Sequence, residues 1–219
     1  MFLAPFRTAA ARPWVAALVA LTLLTFTSPA FAGWEEIAKD DGVTVYRKDV
    51  PGRDLPVFKG VMTMNVGVIH LLAVLDDVPH STEWMANCVE ASLVAQKGPY
   101  ERIVYNRTDA PWPVSDRDVV ITSKVTVNKE KKTVIINFHS IKDSRKGEVE
   151  DVVRMPRLKG HYKFTVLSKD KTRVEYQIDA DPGGSLPDFI IRMASEDLPR
   201  ETLVGLKGKA VAASKSGKY

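Results

Sequence analysis

The side chains that could hold a metal ion or attack a substrate are few in this sequence and widely separated. The four histidines lack the HxxxH and HExxH spacings of zinc sites; they are His70, His80, His139 and His161. The sequence has no GxSxG, GxGxxG or P-loop motif. Cys88 is the only cysteine, so no internal disulfide can form, and we interpret it as a small buried apolar residue. We therefore expect no zinc site and no cofactor, and these absences argue against the easily recognised hydrolase and nucleotide-binding classes.

The dipeptide Arg117-Asp118 is the strongest local suggestion of chemistry. A catalytic interpretation would require a nucleophile, and none accompanies this pair. The sequence instead predicts that Arg117 and Asp118 form a structural ion pair that fixes the base of the loop before them.

Residues 1–32 have the composition of an export signal. Arg7 and Arg12 give a positive start, no acidic residue occurs in the segment, and the apolar run Val15–Phe26 has 12 residues. A membrane span needs about 20 apolar residues, whereas Ala30-Phe31-Ala32 matches the small-x-small site of a signal peptidase. We therefore predict a cleaved signal peptide and export to the periplasm or out of the cell.

Removal of this signal leaves 187 residues, enough for one domain with a sizeable core. They carry 29 basic and 27 acidic residues. This balance argues against a nucleic-acid partner, because phosphate-binding surfaces concentrate lysine and arginine.

The first part of the mature chain mixes helical and extended patterns. Gly33–Asp41 is interpreted as a short helix that ends at Gly42. The following residues alternate like two strands joined by a turn at Pro51-Gly52. A helix with Asn65 as its possible N-cap and a second short helix through Trp84 come next.

From Val89 to Asp179 the pattern predicts successive antiparallel strands. The predicted runs are Val89–Ala95, Glu101–Thr108, Asp118–Val127, Thr133–Ile141, Val152–Met155, Gly160–Leu167 and Thr172–Asp179. Turn signals separate most of these runs, as expected for a meander of hairpins.

The last predicted element is an amphipathic helix. Ser185 can cap it, Leu186, Ile190 and Met193 lie on one stripe, and Pro199 is expected to kink it. We predict a domain over 33–207, followed by a basic flexible tail at 208–219.

This order of elements predicts an α+β fold, with a curved antiparallel sheet wrapped around a long C-terminal helix. One helix need not fill the concave face of such a sheet, so the leftover space could form a ligand cavity. A fully packed core is the alternative.

Three stretches make the pattern more specific. Trp34–Gly60 resembles the opening of START domains, the steroidogenic acute regulatory protein-related lipid-transfer modules. Ala110–Val120 is similar to their loop-and-strand signature, in which prolines precede an Arg-Asp pair, and Thr172–Lys207 resembles their last strand, turn and helix. The resemblance implies a helix-grip fold, an internal tunnel for one lipid, and neither metal nor catalysis. It also implies that the C-terminal helix and the loop Asp109–Asp116 move when a ligand enters.

The tip of that loop is short, stiff and apolar. Tryptophan favours membrane–water interfaces, so Trp112, Pro113 and Val114 could form a gate that contacts a bilayer. Alternatively, Trp112 simply caps the sheet.

Candidate ligand contacts follow from strand alternation. If Val119, Ile121 and Val125 point inward, Ser123 does so too, and the same argument selects Tyr162 and Tyr176 on later strands. Asn106 aligns with a buried acid of some sterol-carrying relatives, and Ser123 aligns with its basic partner. The missing charged pair argues against a sterol and for an uncharged polar contact. On the closing helix, Ile190 and Met193 complete the predicted set.

The leading hypothesis is non-catalytic binding and transfer of a phospholipid, fatty acid or sterol-like molecule by a monomer that contacts membranes transiently. The second is a polyketide cyclase- or aromatase-like enzyme using Tyr162, Tyr176, Arg154 and His139 as acid/base groups. The third is a structural or partner-binding domain with a filled cavity.

Overall fold

The computed structural model describes residues 33–53, 55–184, 186–187 and 197–217. The strands are β1 Glu35–Asp40, β2 Val43–Lys48, β3 Val57–Met64, β4 Cys88–Gly98, β5 Glu101–Thr108, β6 Arg117–Asn128, β7 Thr133–Ser140, β8 Val153–Arg154, β9 Arg157–Ser168 and β10 Lys171–Asp181. The described helices are α1 Val68–Asp76, a 3₁₀-helix at Val78–Glu83, and α2 Leu198–Ser216. Ser185, predicted to cap the last helix, and Ile190 and Met193, predicted to contact the ligand, lie outside the described residues.

One antiparallel sheet contains these strands in the order β1-β2-β3-β10-β9-β7-β6-β5-β4, and β8 pairs with β6 in parallel. Its hairpins follow the turn signals in the sequence, and the predicted run of strands from residue 89 to residue 179 is confirmed. The curved sheet packs against α2, so the predicted α+β helix-grip architecture is confirmed.

The predicted helix at Gly33–Asp41 is wrong, because this segment is strand β1 of a hairpin with β2. Asp41 and Gly42 form the connection with φ angles of 53° and 79°. Two successive residues with positive φ are typical of a type I′ turn, for which Asp-Gly is a preferred pair. The dipeptide therefore joins two strands and does not end a helix.

Helix α1 begins later than predicted. Its N-cap is Gly67, which has no side chain to offer the helix, and Asn65 lies two residues before it. The predicted N-cap is therefore wrong. The second short helix is confirmed as the 3₁₀-helix before Trp84.

Alternation along β6 divides its residues between the two faces of the sheet. Val119, Ile121 and Val125 belong to the main core, whereas Val120 packs with Ile103 and Tyr105 in a separate outer cluster. The predicted register of β6 is therefore correct, and the inward face is the one that meets α2.

Helix α2 continues through most of the segment predicted to be a flexible tail. Leu203, Leu206, Ala210 and Ala213 are buried, and their spacing of three and four residues places them on one face. Pro199 lies in the first turn of the described helix, where its missing N–H is tolerated. None of the described helices is both long and apolar enough to span a membrane.

Gly205 brings α2 unusually close to the 3₁₀-helix region. A Cβ atom there would lie 2.0 Å from the Trp84 carbonyl oxygen, whereas a Cβ atom on Gly208 would meet nothing within 4 Å. We expect Gly205→Ala to lower the free energy of unfolding by about 3 kcal/mol, because the helix must move away from a backbone atom.

Gly208→Ala is the matched control on the same helix. Because that site is open, alanine should raise the free energy of unfolding by about 0.5–1 kcal/mol through its better helix propensity. Urea denaturation of both variants measures the difference, and equal effects of the two substitutions would contradict the close approach.

Candidate functional site

An apolar cavity of about 160 Å³ opens at one end of the concave face of the sheet. Its walls include Phe58, Met155, Leu158, Ile178, Ala180 and Leu198. Ile178 and Ala180 alternate along β10, and Ala180 pairs with Leu158 of β9. The strand register therefore explains why these side chains converge on one space.

The mouth of this cavity lies beside the loop Asp109–Asp116. Asp109 and Ala110 line it, and the Asp109 N–H donates to the Asn87 carbonyl oxygen (2.8 Å). The base of the loop is held by Asp116, which accepts a hydrogen bond from Arg107 Nε (2.7 Å) and another from the Ala110 N–H (3.2 Å). A tethered loop thus forms part of the rim.

The tip of the loop projects into solvent. Trp112 is 90% exposed, so the alternative in which it caps the sheet is wrong. Pro113 is also exposed, while Val114 is half-buried. A large exposed aromatic ring at the cavity mouth is available for contact with another surface.

The predicted ion pair between Arg117 and Asp118 is wrong. Asp118 is 1% exposed and pairs with Arg154, whose Nε and Nη2 donate to its two carboxylate oxygens at 2.6 Å and 3.0 Å. Consecutive residues of a strand point to opposite faces, so Arg117 and Asp118 cannot meet. Arg117 instead lines the cavity.

Sequence reasoning missed Arg117 as a cavity residue although the signal was present. Arg117 shares its alternation with Val119 and Ile121, which were both predicted to point inward. Extending that pattern by one step to the start of β6 places Arg117 on the concave face.

Two of the predicted ligand contacts, Tyr162 and Tyr176, lie deeper along the same strands. Their rings stack with centroids 4.5 Å apart and join Phe138 and Phe164 in an aromatic cluster. Burial raises the pKa of both hydroxyls well above the usual value for tyrosine. Both side chains therefore stay protonated at neutral pH and occupy the core next to the cavity.

Ser123 and Asn106 are not brought together. Ser123 lines a second cleft of about 280 Å³, together with Ile69, Leu72, Ala73, Tyr100 and Val125. Asn106 lies opposite Val119, four residues from Ser123 along β6, a separation of about 13 Å. Its Nδ2 lies 3.9 Å from Cys88 Sγ.

The four candidate acid/base groups of the enzyme hypothesis are divided between the faces of the sheet. Tyr162 and Tyr176 are on the concave face, whereas His139 pairs with Thr122 on the outer face and Arg154 is bound to Asp118. Within the described ranges, no three metal-ligating side chains converge.

Comparison with known proteins matches this architecture to one family. The sequence model of the START domain matches residues 19–198. This protein belongs to the START domain family. The resemblance inferred from the three sequence stretches is therefore confirmed.

The chain is also similar to individual proteins and to a solved structure. An uncharacterized protein of Pseudomonas aeruginosa is 33% identical over 177 residues, which is 81% of this chain and 86% of that protein. The bovine phosphatidylcholine transfer protein is 25% identical over 174 residues, covering 77% and 81% of the two chains. The crystal structure of the STAR-related lipid transfer protein from Xanthomonas axonopodis is 28% identical with a TM-score of 0.73, covering 81% of this chain and 98% of that one.

Proposed function

We propose that this START domain protein binds a phospholipid, fatty acid or sterol-like molecule in its apolar cavity and transfers it between membranes unchanged. The observation that carries the proposal is the cavity with apolar walls, whose mouth lies beside an exposed loop. Moving a free lipid through water exposes its chain, at a cost of about 0.8 kcal/mol for each CH₂ group. A protein that covers the chain removes much of this barrier without any chemistry.

The gate in this proposal is the loop Asp109–Asp116 together with the C-terminal helix. Support comes from Asp109, Ala110 and Leu198, which line the cavity and belong to these two elements. Movement of either element would widen the mouth, and the exposed Trp112 would contact the bilayer while the lipid passes.

A non-catalytic role accounts for the polar groups better than an enzymatic one. The two tyrosines near the cavity have raised pKa values, which makes them poor general bases. His139 and Arg154 lie on the other face of the sheet, away from any substrate in the cavity.

The proposal places a monomer outside the cytoplasm, with its lipids taken from envelope membranes. Support comes from the composition of residues 1–32. An intact-mass measurement that finds Gly33 as the first residue of the exported protein would test the cleavage, and a retained N-terminus would contradict it.

The direct test is native mass spectrometry with lipid extraction on protein purified from its own host. We expect one lipid per chain, and transfer of labelled lipid from donor to acceptor vesicles. A protein that is isolated empty and takes up no lipid from vesicles would overturn the proposal.

Replacement of Trp112 by alanine tests the membrane contact. We expect the rate of lipid transfer between phosphatidylcholine vesicles to fall by about three- to tenfold, because part of a large apolar ring no longer enters the interface. The free energy of unfolding should not change, since Trp112 is 90% exposed.

Tyr100→Ala is the matched control, because Tyr100 is a 62% exposed aromatic residue at the opposite end of β5. Its transfer rate should equal that of the wild type. Slower transfer by the Tyr100 variant with normal transfer by the Trp112 variant would place the membrane contact elsewhere.

A further inference from the structure

The lining of the apolar cavity contains one cationic side chain among the described residues. That side chain is Arg117, and the other polar residues in the lining are Asn87, Thr108 and Asp109. An arginine in apolar surroundings needs compensation for the water that it loses.

The hydrogen bonds of Arg117 supply only part of this compensation. Its Nη1 donates to the Ser115 carbonyl oxygen, and its Nη2 donates weakly to the Gly183 carbonyl oxygen (3.4 Å). Its Nε is buried without a hydrogen-bond partner. The guanidinium is therefore held in place by neutral carbonyl groups and retains donor capacity.

The two carboxylates on either side of Arg117 in the sequence are bound to other arginines. Asp116 accepts from Arg107, with an Nη2–Oδ2 distance of 2.6 Å, and Asp118 accepts from Arg154. No carboxylate of the described residues lies within ion-pair distance of Arg117.

The pKa values of the arginines show the same contrast. Hydrogen bonds that they donate to carboxylates raise the pKa of five of them, Arg53, Arg107, Arg145, Arg154 and Arg200. Burial lowers the pKa of Arg117, and nearby Asp116 opposes this shift. Among the described residues, Arg117 therefore has no counterion, whereas these other arginines do.

We propose that Arg117 binds an anionic group of the ligand, a phosphodiester or a carboxylate, at the mouth of the cavity. The planar guanidinium matches the oxygens of either group, and the acyl chain then lies against Leu158 and Ile178. This inference rests on the proposed function and narrows it, because neutral lipids such as sterols and diacylglycerols offer no counterion.

The test offers the purified protein vesicles that contain equal amounts of dioleoylphosphatidylcholine, oleate and dioleoylglycerol. Native mass spectrometry then identifies the bound lipid. We expect the wild type to prefer phosphatidylcholine or oleate over dioleoylglycerol by about ten- to hundredfold, as is typical of a hydrogen bond to a charged group. The lipid that is enriched tells whether the bound group is a phosphodiester or a carboxylate.

Arg117→Gln should remove this preference while uptake of dioleoylglycerol continues. Arg107→Gln is the matched control, since Arg107 also holds the loop but does not line the cavity. It should keep the wild-type preference. Arg117→Met gives a second readout, because it removes an uncompensated charge and should leave the unfolding temperature of the ligand-free protein equal or higher.

The outcomes separate the two proposals. A wild type that loads dioleoylglycerol as well as the other lipids overturns the role of Arg117 but leaves lipid binding intact, even if the variants do not fold. An Arg117→Gln variant that still prefers phosphatidylcholine or oleate over dioleoylglycerol also overturns the role of Arg117. A wild type that loads none of the three lipids overturns the role of Arg117, and it overturns the proposed function itself if the protein is also isolated from its host without any lipid.

Discussion

Asp118→Ala is expected to lower the free energy of unfolding by about 3 to 5 kcal/mol, because it leaves the Arg154 guanidinium without its counterion. The Asp118 carboxylate is 1% exposed and accepts hydrogen bonds from two nitrogens of Arg154. Arg154 also donates to the Gly147 carbonyl oxygen (2.8 Å), so the pair holds the segment after β7 against the sheet. Chemical denaturation monitored by fluorescence measures the loss.

The exposed pair Arg47–Asp49 provides the control. Its side chains are 45% and 71% exposed, so Asp49→Ala should change the free energy of unfolding by less than about 1 kcal/mol. In a double-mutant cycle, Asp118→Ala combined with Arg154→Ala should cost less than the sum of the single changes. Losses below about 1 kcal/mol in both single variants would contradict a tightly coupled buried pair.

The same alternation that separates Arg117 from Asp118 gives the start of β6 two roles. On the outer face, Asp118 fixes the strand through Arg154. On the concave face, the next residue back, Arg117, is presented to the cavity. The ion pair between Asp118 and Arg154 fixes the strand and thereby holds Arg117 in position. Because Arg117 and Asp118 point to opposite faces, their adjacent charges do not form an ion pair with each other.

The sheet could be predicted from the sequence because its strands alternate clearly and turn residues separate them. Strand β1 escaped prediction because its six residues are mostly polar and only Ile37 and Ala38 are partly buried. The C-terminal half of α2 escaped because its buried positions are alanines, which a hydrophobic pattern hardly distinguishes from a polar tail. Ala210 nevertheless continues the stripe of Leu203 and Leu206 at helical spacing.

The position of the cavity could not be predicted, because alternation selects a face and not a depth along it. Tyr162 and Tyr176 were placed on the correct face, but their stacked rings fill the middle of it. The open space begins one step further along β10, at Ile178 and Ala180. The depth of the cavity depends on how the side chains of several strands pack against one another. The sequence of a single strand does not contain that information.

Ala180→Trp should decrease lipid loading by at least tenfold, because an indole ring would occupy the cavity over β9 and β10 that a lipid chain needs. Ala180 lines the cavity opposite Leu158 and is only half-buried. The ring would fill apolar space, so the free energy of unfolding should change by about 1 kcal/mol or less. Lipid extraction from the purified variant, with thermal unfolding as the check on folding, gives both values.

Ala73→Trp makes the same substitution in the second cleft, which is lined by Ile69, Tyr100 and Ser123. Loading should stay at the wild-type level, because this cleft and the cavity have no lining residue in common. The reverse result, with loading lost in the Ala73 variant and kept in the Ala180 variant, would place the lipid in the second cleft. In that case the ligand would meet the polar residues of the second cleft, Ser123 and Arg102 among them, and not Arg117.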